Sequence, residues 1–227
     1  MAMQAASTEP SIGVRVPAFA PEQSLAVASL LTMSGGFLDA FTWLSLGGVF
    51  ASSQTGNVVF LGVYAMSGQW QQAAHHVLPI VGFLLGASLA VRIRAPLLCL
   101  AGEIGCLMVI MLLHDRMPEM IAIPGLAFGA ALQSASFRQV EHWKYLSVTV
   151  TGNMLRAIEQ SAAASDRDAR RGVGVSFLLC VLFLSGAAVG TWATKWLGAC
   201  CIVLPVATLA CALWLCRPSR RFRASTR

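Results

Sequence analysis

Thr55-Gly56-Asn57 and Thr151-Gly152-Asn153 are two copies of one tripeptide, 96 positions apart. At the same offset Ser53 meets Thr149, so a hydroxyl precedes each copy by two positions. Each copy opens a short apolar run and follows a longer one. The side-chain oxygens of Thr and Asn can accept the N–H groups that a helix leaves unpaired in its first turn. Gly lets the backbone take unusual angles and come close to a ligand. A helix that begins inside a membrane aims its first N–H groups at something polar, because lipid supplies no partner. The two tripeptides therefore read as the N-termini of two half-membrane helices lining a site. Two such ends present partial positive charge and free N–H groups, suited to an anion or to the oxygen of a neutral solute. The candidate solute-binding residues are Thr55, Gly56, Asn57, Thr151, Gly152 and Asn153, with Asp39 and Gln133 from the preceding apolar runs.

Two carboxylates lie inside apolar runs. Asp39 is well within the first of them, where a charge costs at least about 2.5–3.5 kcal/mol on insertion scales. It is expected to face a cavity, to meet a partner or to be protonated. As a functional group it would be a proton-coupling acid or a cation ligand; as a structural one it would hydrogen-bond a neighbouring helix. Glu103 has no acidic counterpart at the repeat offset, where Ala199 stands, and a structural role is expected for it. His75, His76, His114 and His142 fall in expected loops on different sides, without zinc-ligand spacing. No G-x-S-x-G or H-E-x-x-H pattern occurs. No catalytic residue, metal site or cofactor is expected, and the chain reads as a non-enzyme.

The elements that must position these residues are membrane helices. The chain is 56% hydrophobic and 11% charged over 227 residues, too apolar for an ordinary soluble domain. Its net charge of +6 does not point to nucleic acid, because the arginines lie between apolar runs and at the C-terminus, as cytoplasmic anchors do. The seven cysteines all fall in apolar runs and read as small packing residues. Residues 1–23 hold Pro10, Pro17 and Pro21 and lack a signal-peptide pattern, so a disordered tail is expected there. Spans are expected at 24–46, 77–95, 97–113, 120–137, 173–196 and 198–215, with polar loops at 68–76 and 165–171 and a polar link at 138–145. Gly47, Gly48, Ser52 and Ser53 suggest an extended stretch, with a helix resuming at Asn57. The second tripeptide sits in the run 146–158. As a helix, that run covers roughly 20 Å, short of a hydrocarbon core of roughly 30 Å.

Charge placement selects a topology. If both tripeptide segments are re-entrant, the chain has six spans. With the N-terminus inside, the cytoplasm receives Arg15, Arg92, Arg94, Arg138, Lys144, Arg167, Arg170, Arg171 and the five tail arginines, leaving only Arg116 and Lys195 outside. If both segments cross, Arg92, Arg94, Arg138, Lys144 and Lys195 are stranded outside. The expectation is an all-α polytopic bundle of six spanning helices plus two re-entrant half-helices. It forms one membrane domain at 24–216, with repeat one at 24–113, repeat two at 120–216 and a basic cytoplasmic tail at 217–227. Three spans per half make it an inverted repeat, the plan by which many transporters build a midplane site.

The runs Gly36-Phe37-Leu38-Asp39-Ala40, Leu46-Gly47-Gly48-Val49-Phe50 and Thr55-Gly56-Asn57 resemble the signature of the YoaK family, bacterial membrane proteins classed as a domain of unknown function. Gln133 with Arg138, then Thr149-Val150-Thr151-Gly152, is similar to that family's second block, although Ser134 stands where the family often has Asn. The resemblance implies a multi-pass protein of the bacterial cell inner membrane with unassigned activity, and it supplies no substrate. The expected partners are the lipid bilayer and an unknown small solute or ion, not nucleic acid; a homo-oligomer is left open. Transport of that solute is the function expected. A non-transporting structural or signalling membrane protein is the alternative.

Overall fold

Ser24 starts the first long helix by accepting the Val27 N–H on its hydroxyl at 3.3 Å. In the computed structural model, which describes residues 19–162 and 167–217, this helix is α1 (Leu25–Ser45). Gly47 and Gly48 follow with φ of 70° and 78°, the left-handed region that glycine enters without penalty, and they turn the chain back. An irregular run leads into α2 (Gln54–Met66), and α3 (Trp70–Ile93), α4 (Pro96–Leu113) and α5 (Glu119–Ser136) follow. A small antiparallel hairpin pairs Gln139–Val140 with Trp143–Lys144. Then come α6 (Val150–Ala162), α7 (Arg167–Leu197), a 3-10 turn at Gly198–Ile202 and α8 (Val203–Leu215).

Four stretches are long and apolar enough to cross a membrane among the described residues: Leu25–Ser45, Trp70–Ile93, Pro96–Leu113 and Asp168–Leu215. The outer surface is correspondingly greasy. Val58, Val59, Leu84, Leu85, Leu98, Leu112, Leu184 and Trp192 are all exposed, large apolar side chains on several helices that lipid suits better than water. Both features fit a membrane protein. In α1, 67% of the apolar window is buried, against 28% in α3 and in α4, so α1 lies deeper in the bundle than α3 or α4. Its Val27, Leu31 and Leu38 join Leu100 and Leu107 of α4, Leu126 of α5 and Leu209 of α8 in the main core.

Glycine sets the closest helix crossings, and the same arrangement occurs twice. In α7, Gly186 and Gly190 lie against the backbone of Met33 and Phe37 in α1; in α3, Gly82 and Gly86 lie against the backbone of Pro124 and Phe128 in α5. A Cβ at any of these four would collide with a carbonyl oxygen of the facing helix, which is how small residues let membrane helices approach. Both pairs run parallel, since the higher-numbered glycine faces the higher-numbered partner. α1 and α5 run antiparallel. Gln23, just before α1, donates to Gln139, just after α5, at 2.8 Å, and further in the Leu31 carbonyl accepts from Gln133 at 3.2 Å.

Several boundaries differ from those read in the sequence. α2 begins at Gln54 rather than at Asn57, and α6 runs over Val150–Ala162 rather than 146–158; both helices are 13 residues long. The expected loop at 68–76 is mostly helix, because α3 starts at Trp70 and its Gln and His residues lie on its first two turns. His75 and His76 are therefore helical. Likewise α7 begins at Arg167, inside the expected loop at 165–171; residues 163–166 lie outside the described residues. The link at 138–145 is the hairpin, whose turn residue Glu141 (φ 53°) accepts from Arg171 at 2.6 Å and donates its N–H to the Gln23 carbonyl at 2.6 Å. Of the tail expected over 1–23, residues 1–18 lie outside the described residues, and Pro21–Gln23 forms a 3-10 turn. Of the basic tail at 217–227, only Arg217 is described.

Candidate functional site

Both tripeptides occupy the same place in their helices. Thr55, Gly56 and Asn57 are the second to fourth residues of α2; Thr151, Gly152 and Asn153 are the second to fourth of α6. In each, the Thr is exposed, the Gly is half-buried and the Asn is buried. Neither Asn serves as the cap of its helix. Each reaches back seven residues and clamps one residue of the incoming irregular chain. Asn57 Oδ1 accepts the Phe50 N–H at 3.0 Å, and its Nδ2 donates to the Phe50 carbonyl at 2.8 Å and to Gln54 Oε1 at 2.9 Å. Asn153 Oδ1 accepts the Leu146 N–H at 3.4 Å and an Arg156 N–H at 3.3 Å, and its Nδ2 donates to the Leu146 carbonyl at 3.0 Å. Gly56 makes room for the Phe50 ring, which would stand 2.7 Å from a Cβ there.

The rest of each incoming chain is held by the long helix before it. Asp39 of α1 is buried and accepts from the Ser52 N–H at 2.7 Å, from the Ser52 hydroxyl at 2.9 Å and from the Ser53 hydroxyl. Thr42 accepts the Ala51 N–H at 3.1 Å. In the second half Gln133 of α5, fully buried, donates to the Ser147 hydroxyl at 2.9 Å. The bonds to the Ser52 and Ala51 N–H groups satisfy backbone that would otherwise be unpaired away from water, the condition under which non-helical chain persists at membrane depth. They also divert Ser53. It precedes α2 as its N-cap, yet its hydroxyl goes to Asp39 and gives the helix no side-chain cap.

A cavity of about 560 Å³ meets both helix starts. Ser52, Ser53, Gln54 and Thr55 border it from one half, and Thr149, Val150 and Thr151 from the other. Phe83, Ala87 and Val91 of α3 form an apolar wall, and Ser134 and Arg138 complete the polar side. Among the described residues the N–H groups of Thr55, Val150, Thr151 and Gly152 have no hydrogen-bond acceptor, as the first turn of an uncapped helix requires. Ser134 is 6% exposed and its hydroxyl has no partner. Arg138 is exposed and takes part in no ion pair among the described residues. A second cavity of about 460 Å³ shares Arg138 and Leu146 with the first and adds Glu22, Pro96, Lys144, Tyr145 and Arg156. The Tyr145 hydroxyl there is neutral: burial pushes it up, and Cys216 adds to the effect.

The expected site residues thus separate. Thr55 and Thr151 border the common cavity; Asn57, Asn153, Gly56, Gly152, Asp39 and Gln133 do not. Asp39 borders a smaller cavity of about 330 Å³ with Trp43, Phe50, Ser53 and Phe183, so Ser53 lies between the two spaces. Glu103 is buried beside Gly129 of α5, with one carboxyl oxygen unpartnered. His76 lies under the rings of Phe60 and Tyr64 and 3.4 Å from Asn57 Oδ1, while His75 meets the Leu46 carbonyl at 3.1 Å. Arg138, Ser134 and the α3 wall went unread as cavity residues. The matched hydroxyls of Ser53 and Thr149 were the signal that led closest to it.

Residues 27–215 match a family described as "Protein of unknown function (DUF1275)". The resemblance read in the sequence holds at that level, a family with a domain of unknown function; the match does not carry the name YoaK. No curated protein and no solved structure matches the chain.

Proposed function

The chain belongs to the DUF1275 family of proteins of unknown function, and we propose that it carries a small solute or ion across the membrane, bound between the first turns of α2 and α6. The observation that carries this reading is that both tripeptide helices open onto one cavity, with Thr55 and Thr151 both in its wall. Two uncapped helix starts supply N–H donors and partial positive charge to a single space. Among the described residues Arg138 is the one titratable side chain in the lining, which suits binding and passage rather than acid–base chemistry.

The proposed topology is six spans with α2 and α6 as re-entrant half-helices, both termini in the cytoplasm, in a bacterial inner membrane. Several observations support it. At 13 residues each, α2 and α6 reach roughly 20 Å, too short for a core of roughly 30 Å. The 3-10 turn Gly198–Ile202 added to α8 reaches roughly 30 Å. α1 and α5 run antiparallel, as six spans require; eight spans would make them parallel. Glu22, Pro96 and Arg138 border one cavity, so the start of α1, the start of α4 and the end of α5 share an end of the molecule. Gly47, His75 and Glu119 border another, at the opposite end. Arg92, Arg94, Lys144, Arg170 and Arg171 belong to the first end, the pattern of a cytoplasmic face. The twin glycine crossings, α7 on α1 and α3 on α5, are what an inverted repeat would produce.

A structural or signalling role is the second reading. It is favoured by Asn57, Asn153 and Asp39, all of which bond to the protein's own chain. Flux through the purified protein in liposomes separates the two. Transport predicts that at least one member of a panel of small anionic, neutral and cationic solutes crosses faster with the wild type than with a Thr55→Val, Thr151→Val double variant. Equal leakage of every solute through both proteins contradicts it.

A further inference from the structure

Resting on the transport reading above, we infer that the solute is a small organic anion, an oxyanion head such as a carboxylate on a compact apolar body, and that it enters past Arg138. The cavity is divided by chemistry. On one side stand the N–H groups of Thr55 and Thr151, which have no acceptor among the described residues, and Ser134, 6% exposed, whose enclosed hydroxyl has no partner among them. An oxyanion takes these donors together with two helix dipoles of the same sign. On the other side Phe83, Ala87, Val91 and Val148 offer only hydrocarbon, which gains from burying an apolar body and gives nothing to a hydrated inorganic ion.

The charge balance selects the sign. No carboxylate borders the cavity among the described residues. Glu141, three residues from Arg138, is paired with Arg171, Asp39 is held by Ser52 and Ser53, and Glu103 is packed against α5. A cation would meet helix starts and Arg138 with no counter-charge. Arg138 and Leu146 belong to both this cavity and its neighbour, whose lining adds Lys144 and Arg156 against the single acid Glu22. Three cations along that approach, none in an ion pair among the described residues, would concentrate anions and steer them to the helix starts.

The test uses the full chain in detergent and in liposomes, with acetate, pyruvate and benzoate as probes. Their uncharged amides, an amine of the same size as each, and inorganic phosphate and sulfate complete the panel. The inference expects thermal stabilisation by at least one carboxylate and none by its amide or amine. It also expects apparent affinity to fall about tenfold in Arg138→Gln and in Ser134→Ala, the effect of one charge-assisted hydrogen bond, with partial recovery in Arg138→Lys. Because Arg138 is exposed, the ligand-free melting temperature of Arg138→Gln should match wild type, so lost affinity reads as lost recognition. Affinity for the amide or amine equal to that for the acid overturns the inference. So does phosphate or sulfate binding as tightly as the carboxylate, or affinity unchanged in both variants. If a neutral or cationic solute moves in a manner that depends on Thr55 and Thr151, the anion inference fails while transport stands. If no solute binds or moves, both fail.

Discussion

Asn57 and Asn153 share a residue type, a position in their helices and a job. Each amide pairs with both the N–H and the carbonyl of a residue seven positions earlier, so each pins an irregular chain to the helix it feeds. Removing either amide leaves those backbone groups unpaired, at a cost of about 1–3 kcal/mol. Asn57→Ala should be the worse of the two, since its bonds to Phe50 and Gln54 run from 2.8 to 3.0 Å and those of Asn153 to Leu146 and Arg156 from 3.0 to 3.4 Å. Thermal unfolding in detergent gives the order; Asn153→Ala melting lower than Asn57→Ala would contradict it. Asp39→Asn should also unfold earlier, because an amide presents a donor to the Ser52 and Ser53 donors that the carboxylate now accepts. Thr55→Val and Thr151→Val should instead leave stability within about 0.5 kcal/mol and lower flux. A clear loss of stability in either would assign the threonine to the fold rather than to the cavity.

At the scale of elements, the glycine crossings fix how the long helices meet. Gly82 and Gly186 touch the backbone of the facing helix, whereas Gly62 of α2 and Gly105 of α4 have open space around them. Gly82→Ala and Gly186→Ala should each destabilise by about 1–3 kcal/mol, as overpacking does. Gly62→Ala and Gly105→Ala should be neutral or stabilising by about 0.5–1 kcal/mol, since alanine favours helix. Equal effects at all four sites would refute the crossings. These elements were partly legible. The repeated tripeptide marked both short helices, because an identical string at a fixed offset is independent of propensity. The exact starts were not, because Gln54 and Val150 join their helices through the path of the preceding loop. Phe83, Ala87 and Val91 recur every four residues on a helix that is apolar all round, so periodicity could not separate a cavity wall from a lipid face. Whether an Asn turns to a ligand or to its own chain depends likewise on where the loop runs.

At the scale of the whole molecule, direction is the testable quantity. Six spans put Gln69, between α2 and α3, on the side opposite to His142 in the hairpin. In a chain whose seven native cysteines are replaced, a cysteine at Gln69 should react with an impermeant thiol reagent in intact cells, and one at His142 only after permeabilisation. Labelling of both, or of His142 alone, in intact cells would overturn the topology. The threonines test whether the two short helices, one from each half, open onto one hydrated space. Single cysteines at Thr55 and at Thr151 in the same background would be treated with a small hydrophilic thiol reagent, beside a control at the lipid-facing Leu84. Both should react, Leu84→Cys should not, and a bulky reagent on one should slow reaction at the other when both are present. Two unreactive cysteines, or two that react without affecting each other, would contradict a shared cavity.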